Sequence, residues 1–197
     1  MRRNNTRKTA GSSLTHERKG RLVSPGAGRI LLILPCTKVK PYTSSPTWGY
    51  VITHIEPWLN RIDLAAIDCI TNPKTGTPFG LVPVPEQRLA VGLDEKPDPK
   101  KFEPLVEAVR HRLTRLKTRY LEILAYVNVK VYWQTLAELA DEFGIVLLPS
   151  VYRGKTNWSV DAVGASPLGI FRIYVDELVR EITTVLETCD PRNAQTT

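Results

Sequence analysis

Five consecutive apolar residues, Ile30-Leu31-Leu32-Ile33-Leu34, stand between Arg29 and Pro35. An unbroken apolar run of this length is typical of a strand that is buried on both faces, because a strand with one wet face alternates apolar and polar residues. Strands of this kind occur in parallel sheets covered by helices. The run therefore predicts a strand that is buried on both faces in the sheet of an α/β domain.

Strand-like and helix-like segments alternate after this run. Further strands are predicted at residues 62–67, 121–129 and 145–148. Two short strand-like pieces, 80–84 and 89–93, lie within an irregular, proline-rich segment from 71 to 101. Helices, where apolar residues recur at helical spacing, are predicted at 49–60, 105–120, 133–143 and 167–187, with polar loops at 36–48 and 150–166. The alternation indicates an α/β fold of three layers, with a largely parallel sheet and helices on both faces.

The charge of the chain is unevenly distributed. The net charge is +7, and residues 1–29 hold eight Lys or Arg against one acid, whereas residues 30–197 are balanced. We therefore predict a disordered basic tail at 1–28, a single α/β domain at 29–189 and a frayed C-terminus at 190–197. A mobile cationic arm suits a polyanion such as nucleic acid, and a solvated extension without a specific partner is the alternative. Since no signal-peptide pattern or membrane-length apolar run is present, we expect a cytoplasmic protein with no membrane partner.

The cysteines and histidines do not form a metal-binding pattern. Cys36, Cys69 and Cys189 lack the CxxC spacing, and the three histidines are scattered. We therefore expect reduced thiols and neither a metal nor another cofactor.

The loop after the first strand is the densest cluster of reactive side chains. Ligands of open α/β sheets bind beyond the carboxyl ends of the strands, and the loop begins at such an end. Cys36 has Lys38 and Lys40 nearby, and cationic neighbours favour the nucleophilic thiolate. A small thiol packed at a strand end is the alternative interpretation. The candidate acid or base groups are His54, Asp68 and Asp94.

Two cationic segments are candidates for nucleic-acid binding. Arg112, Arg115 and Arg119 share one face of the predicted helix 105–120, while Arg153 and Lys155 lie in a basic, aromatic loop. These residues suit a phosphate backbone and stacked bases. A solvated outer helix face and local loop packing are the alternatives.

One motif in the first loop resembles a known family. It consists of Pro35-Cys36, three residues, Lys40-Pro41-Tyr42, two residues and Ser45. This pattern resembles the signature loop of the core domain of archaeosine synthase, an archaeal enzyme that modifies a cyano-deazaguanine base in transfer RNA. The family pattern continues with two residues and a histidine, and Trp48 stands at that place here. A weaker similarity at Gly80-Leu81-Val82-Pro83 extends the resemblance over roughly residues 29–150.

The resemblance implies attack by an amine, lysine in the family, on the nitrile of the base, without a metal. Carried over by position, the candidate catalytic residues are Cys36, Lys40, Tyr42 and Ser45. The RNA-binding domains that accompany this core in the full-length enzyme would then come from a partner subunit, or the basic tail would do part of their task. Two alternatives stay open: a non-catalytic nucleic-acid-binding protein, and a glycosylase-like base hydrolase in which Asp68 or Asn72 activates water.

Overall fold

The computed structural model describes residues 29–37, 39, 41–84, 100, 102–152 and 167–188. Five predicted features lie outside these residues: the basic tail 1–28, the residues Lys38 and Lys40, the strand at 89–93 with Asp94, the loop residues Arg153 and Lys155, and the C-terminus 190–197.

The described chain forms one five-stranded sheet with helices between its strands. The strands are β1 (Ile30–Pro35), β2 (Ile62–Thr71), β3 (Pro78–Pro83), β4 (Glu122–Tyr126) and β5 (Ile145–Leu148). The helices are α1 (Pro46–Ile55), α2 (Phe102–Leu116), α3 (Lys130–Glu138), α4 (Ala140–Phe143) and α5 (Pro167–Thr188). Short 3₁₀ turns occupy Tyr42–Ser44, Glu56–Arg61, Lys117–Arg119 and Ser150–Tyr152.

The strand order is β3-β2-β1-β4-β5. β1 pairs in parallel with β2 and β4, and β5 pairs in parallel with β4. β3 returns antiparallel along the outer side of β2 through a hairpin. The predicted largely parallel sheet is therefore confirmed, with one antiparallel edge strand.

The sheet separates two hydrophobic cores, as a strand buried on both faces requires. Leu31 and Ile33 of β1 pack into the core under α2 and α3. The alternate side chains Ile30, Leu32 and Leu34 pack into the core under α1 and α5. This arrangement confirms the three-layer α/β fold and the burial of the first strand on both faces; the strand is also the central one of the sheet.

Several element boundaries differ from the predicted ones. α1 ends at Ile55 and not at 60, α2 covers Phe102–Leu116 in place of 105–120, and β4 covers Glu122–Tyr126 in place of 121–129. The segment 36–48 is not loop throughout, because Tyr42–Ser44 form a 3₁₀ turn and α1 already begins at Pro46, where a proline needs no amide hydrogen. β2 continues to Thr71, four residues past the predicted end, because β3 pairs with its outer edge. The predicted helix 133–143 begins at Lys130 and is interrupted at Leu139.

Candidate functional site

Cys36 lies at the carboxyl end of β1, where the parallel pairing of the sheet ends. Its amide donates to the carbonyl oxygen of Ile67 at 3.0 Å, which extends the pairing by one residue. The thiol is partly exposed, whereas Cys69 on the neighbouring strand is buried. Cys36 is therefore the thiol that a molecule at this edge of the sheet would meet first.

A tyrosine hydroxyl joins the two thiols. The Oη atom of Tyr132, on α3, lies 2.9 Å from Sγ of Cys36 and donates to Sγ of Cys69 at 3.2 Å. A hydroxyl carries one hydrogen, so while Tyr132 donates to Cys69 the Cys36 thiol must be the donor in the other contact. If Cys36 loses its proton, the hydroxyl can turn and donate to the thiolate.

The Tyr132 hydroxyl is a donor and not a base. Tyr132 is fully buried, and burial together with the two neighbouring thiols raises its pKa far above the usual value for tyrosine. The phenol thus stays protonated over the range in which proteins are folded. It offers Cys36 a fixed hydrogen bond from the interior of the protein.

A second buried pair supports the loop from below. The hydroxyl of Tyr42 donates to Oδ2 of Asp68, and both residues are fully buried. The other carboxyl oxygen of Asp68 accepts from the amide of Ile70 at 2.9 Å, in the part of β2 where the pairing with β3 shifts register. Burial and the carboxyl of Asp68 raise the pKa of Tyr42 far above its usual value. Tyr42 is therefore a neutral donor that ties the loop to β2.

Ser45 and Trp48 fix the start of α1. Ser45 is the N-cap of the helix, and its Oγ accepts from the amide of Trp48 at 3.2 Å. The indole Nε1 of Trp48 donates to the carbonyl oxygen of Pro35 at 2.9 Å, and the ring stacks on Tyr42 with centroids 5.3 Å apart. Trp48, at the place of the family histidine, thus joins the end of β1 to the buried tyrosine.

The four candidate catalytic residues are in different situations. Cys36 is reachable, Tyr42 and Ser45 are buried and held by the hydrogen bonds above, and Lys40 lies outside the described residues. We interpret Tyr42 and Ser45 as residues that position the loop; their direct action on a substrate stays a prediction. His54, a candidate base, lies on α1 with its Nδ1 2.8 Å from the carbonyl oxygen of Tyr50.

Tyr132 and Cys69 were not predicted as part of the site. Tyr132 directly precedes the predicted helix 133–143, and Cys69 lies two positions past the predicted strand 62–67. The contact between them spans 63 positions of the chain, so no local pattern announces it. The one local signal was Cys69 itself, which follows Asp68 at the end of the predicted strand 62–67.

The predicted arginine stripe is divided by the structure. Arg112 and Arg115 line an open groove of ≈ 550 Å³ between α2 and the β2–β3 hairpin. Arg119 lies in the exposed 3₁₀ turn beyond α2 and does not line this groove. Arg153 and Lys155, predicted to bind nucleic acid, fall outside the described residues.

No group of three or more His, Cys, Asp or Glu side chains in the described part of the chain is placed to hold a metal ion. None of the described helices has the length and apolar character that crossing a membrane requires.

Comparison with known proteins yields a distant structural similarity. No protein-family model matches the chain, and no curated protein matches it. A solved structure, the crystal structure of AF0587, a protein of unknown function, aligns with 76% of this chain at 19% identity and a TM-score of 0.43. The aligned part spans 45% of that protein, which is less than half of its length.

Proposed function

We propose that this chain is a cytoplasmic domain of the archaeosine-synthase core type, which binds a 7-deazaguanine-type nucleobase of transfer RNA beside Cys36. The observation that carries the proposal is the arrangement of the motif. Its described members form one unit at the carboxyl edge of a parallel sheet, the edge at which α/β proteins bind their ligands. Only Cys36 among the described site residues is partly exposed there.

The chemistry that the resemblance implies is addition of an amine to a nitrile. The amine nitrogen forms a bond to the nitrile carbon, one π pair of the triple bond passes to the nitrile nitrogen, and the proton lost by the amine ends on that nitrogen. The product is an amidine, and no oxidant or reductant is needed. For this chain we propose base recognition first, because Trp48 has no group that can transfer a proton near neutral pH, unlike a histidine.

The described side chains have distinct tasks in this proposal. Cys36 contacts the base, and the neutral Tyr132 hydroxyl fixes the direction of the thiol. Tyr42, Ser45 and Trp48 hold the loop that carries Lys40 and Pro41. A partner subunit or the basic tail would supply further contacts with the transfer RNA.

A second candidate function is non-catalytic nucleic-acid binding through the basic tail and the arginines of α2. The observation in its favour is that Arg112 and Arg115 line a groove. A hydrolase that activates water with Asp68 is disfavoured, because the carboxyl group is fully buried and accepts from Tyr42 and Ile70.

Protection of Cys36 from alkylation tests the proposal. The full chain is treated with iodoacetamide at neutral pH, with and without free cyano-deazaguanine, and the cysteine peptides are quantified by mass spectrometry. We expect Cys36 to be alkylated and the base to slow that reaction at least fivefold, while buried Cys69 stays unmodified in both samples as an internal control. Guanine, which lacks the nitrile group, serves as the control base.

The outcomes separate the candidates. Equal alkylation of Cys36 with and without a saturating amount of the base contradicts base recognition at this edge. Protection that Lys40→Ala abolishes extends the site to the loop lysine. Protection together with incorporation of radiolabelled lysine into cyano-deazaguanine-containing transfer RNA would show that the chain also catalyses the addition.

A further inference from the structure

The groove between α2 and the β2–β3 hairpin has one wall that carries two arginines. Arg112 and Arg115 lie three positions apart on α2, and His111 also lines this wall. Among the described residues that line the groove Glu107 is the one acid, and it forms an ion pair with Arg110, which also pairs with Glu142 of α4. The described lining thus carries two arginines against one acid.

The hairpin side of the groove offers neutral hydrogen-bonding groups and apolar side chains. Asn72, Thr75 and Thr77 belong to the hairpin turn, and the two threonine hydroxyls lie 2.8 Å apart. The apolar part of the lining is formed by Pro78, Phe79, Leu81 and Val82. Cations and hydroxyls beside apolar side chains suit a ligand that combines anionic groups with flat apolar ones, as a nucleotide strand does.

The two walls are held at a fixed separation. At Gly80 the hairpin approaches α2 so closely that a Cβ atom would lie 2.9 Å from the carbonyl carbon of Ala108. The turn itself is closed by the amide of Asn72, which donates to the carbonyl oxygen of Thr77 at 2.8 Å. The groove is therefore built into the fold, and its formation does not require a ligand to order it.

The groove also starts near the Cys36 edge of the sheet. Asn72 follows Cys69 by three positions, which corresponds to about 10 Å along an extended strand. A polymer that lies in the groove can thus extend toward the thiols at the ends of β1 and β2.

We infer that this groove binds single-stranded RNA by its phosphodiester backbone, with Arg112 and Arg115 on successive phosphates, next to the base site at Cys36. The inference rests on the proposed function in taking RNA as the polymer. It adds a second binding surface with its own residues, and it assigns the predicted arginine stripe a partial role, because Arg119 lies outside the groove.

Binding of a fluorescein-labelled 12-nucleotide polyuridine RNA to the full chain, measured by anisotropy between 50 and 200 mM salt, tests the inference. The double variant Arg112→Gln/Arg115→Gln is compared with Arg172→Gln/Arg180→Gln, which removes two exposed arginines from α5 on the other face of the sheet. We expect the groove variant to weaken binding about tenfold at low salt. The slope of log K against log [salt] should become shallower by about 1.4, since each phosphate of a single strand contributes about 0.7. The α5 variant should stay within about twofold of the unchanged chain.

Equal losses in the two double variants would overturn the inference, since binding would then follow total charge. Displacement of the RNA by equimolar inorganic phosphate or uridine monophosphate would also overturn it in favour of a small-anion site. If the double variant does not fold, Arg115→Gln, at an exposed position, must change the slope by about 0.7. The alkylation assay uses the free base without RNA. If base recognition at Cys36 fails in that assay, the measurement of RNA binding in the groove keeps its meaning.

Discussion

The cluster at the ends of β1 and β2 and the groove beside α2 use polar side chains in opposite ways. In the cluster, Tyr42, Asp68 and Tyr132 are fully buried and are hydrogen-bonded to one another or to the thiols. In the groove, Arg115 is exposed and Arg112 is partly exposed, and both meet solvent. The cluster therefore fixes a geometry, whereas the groove presents charge that a ligand can neutralise.

This difference predicts different sensitivities. When its partner is removed, a buried polar group has no hydrogen bond to offset the cost of its desolvation. Changes in the cluster should therefore act mainly on the free energy of unfolding. Exposed cations contribute little to folding, so changes in the groove should act mainly on binding and on its salt dependence.

Trp48→Ala should have the largest effect on folding. The side chain is fully buried, donates to Pro35 and stacks on Tyr42, and removal of a buried Trp costs about 3–5 kcal/mol. Urea denaturation measures the free energy of unfolding. Trp58→Ala, at a half-buried position in the 3₁₀ turn Glu56–Arg61, is the matched control and should cost less than half as much. Equal costs would show that the junction of β1 and α1 has no special role.

The same junction can be tested for its relation to the family pattern. Trp48→His places the family residue at this position, but imidazole is too small to fill the space of the indole. We expect a loss of stability close to that of Trp48→Ala. A histidine variant as stable as the unchanged chain would show that the loop is not built around the tryptophan.

The sequence predicted the layers of the fold because its hydrophobic pattern is local. Residues 30–34 carry the signal of a doubly buried strand by themselves, and the helices show their own periodicity. A strand-like piece was predicted at 80–84 and corresponds to β3, but its antiparallel pairing with β2 was not predicted. Its pairing depends on a tight approach to α2, which only the folded chain reveals.

The candidate site was predicted only in part, for a similar reason. Cys36 stands directly after the strand, where position alone indicates a ligand-binding edge. Tyr132 reaches it from 96 positions away and Asp68 meets Tyr42 across 26 positions. Long-range hydrogen bonds leave no periodic trace in a single sequence, so the partners of the motif emerge only from the structure.

Gly80→Ala should have the largest effect after the two Trp48 variants, and Gly76→Ala provides a close control. Both glycines have φ of 70°, so each substitution carries the backbone strain of about 1–2 kcal/mol. Only at Gly80 would the new methyl group meet another residue, 2.9 Å from the backbone of Ala108, whereas the space around Gly76 is open. We expect Gly80→Ala to cost about 1–3 kcal/mol more than Gly76→Ala in urea denaturation. It should also weaken RNA binding, since the walls of the groove must shift. Equal costs at the two positions would show that the hairpin does not set the width of the groove.

Alkaline pH should have the smallest of these effects, and it should act on the buried cluster and not on the groove. The free energy of unfolding should fall by at most about 1.4 kcal/mol per pH unit for each buried tyrosine. Burial raises the pKa of Tyr42 and of Tyr132 above the unfolded value of 10.0. The unfolded chain therefore releases protons above pH 10 that the folded chain retains. The stabilisation is complete below pH 10 and is lost progressively as the pH rises toward the folded pKa. Tyr120, whose pKa burial and Asp63 raise to about 12, adds to the same decline.

Tyr132→Phe tests this assignment, since phenylalanine has no proton to lose in either state. Urea denaturation at pH 8, 10 and 11 should show a decline between pH 10 and 11 that is shallower by about 1 kcal/mol than in the unchanged chain, because half of the unfolded tyrosine is already deprotonated at pH 10. The groove variant Arg112→Gln/Arg115→Gln should retain the full decline, because arginine stays protonated in this range. If the arginine variant flattened the decline and Tyr132→Phe did not, the groove and not the tyrosine cluster would govern stability at high pH. The contrast between a buried cluster that responds to pH and an open groove that responds to salt would then fail.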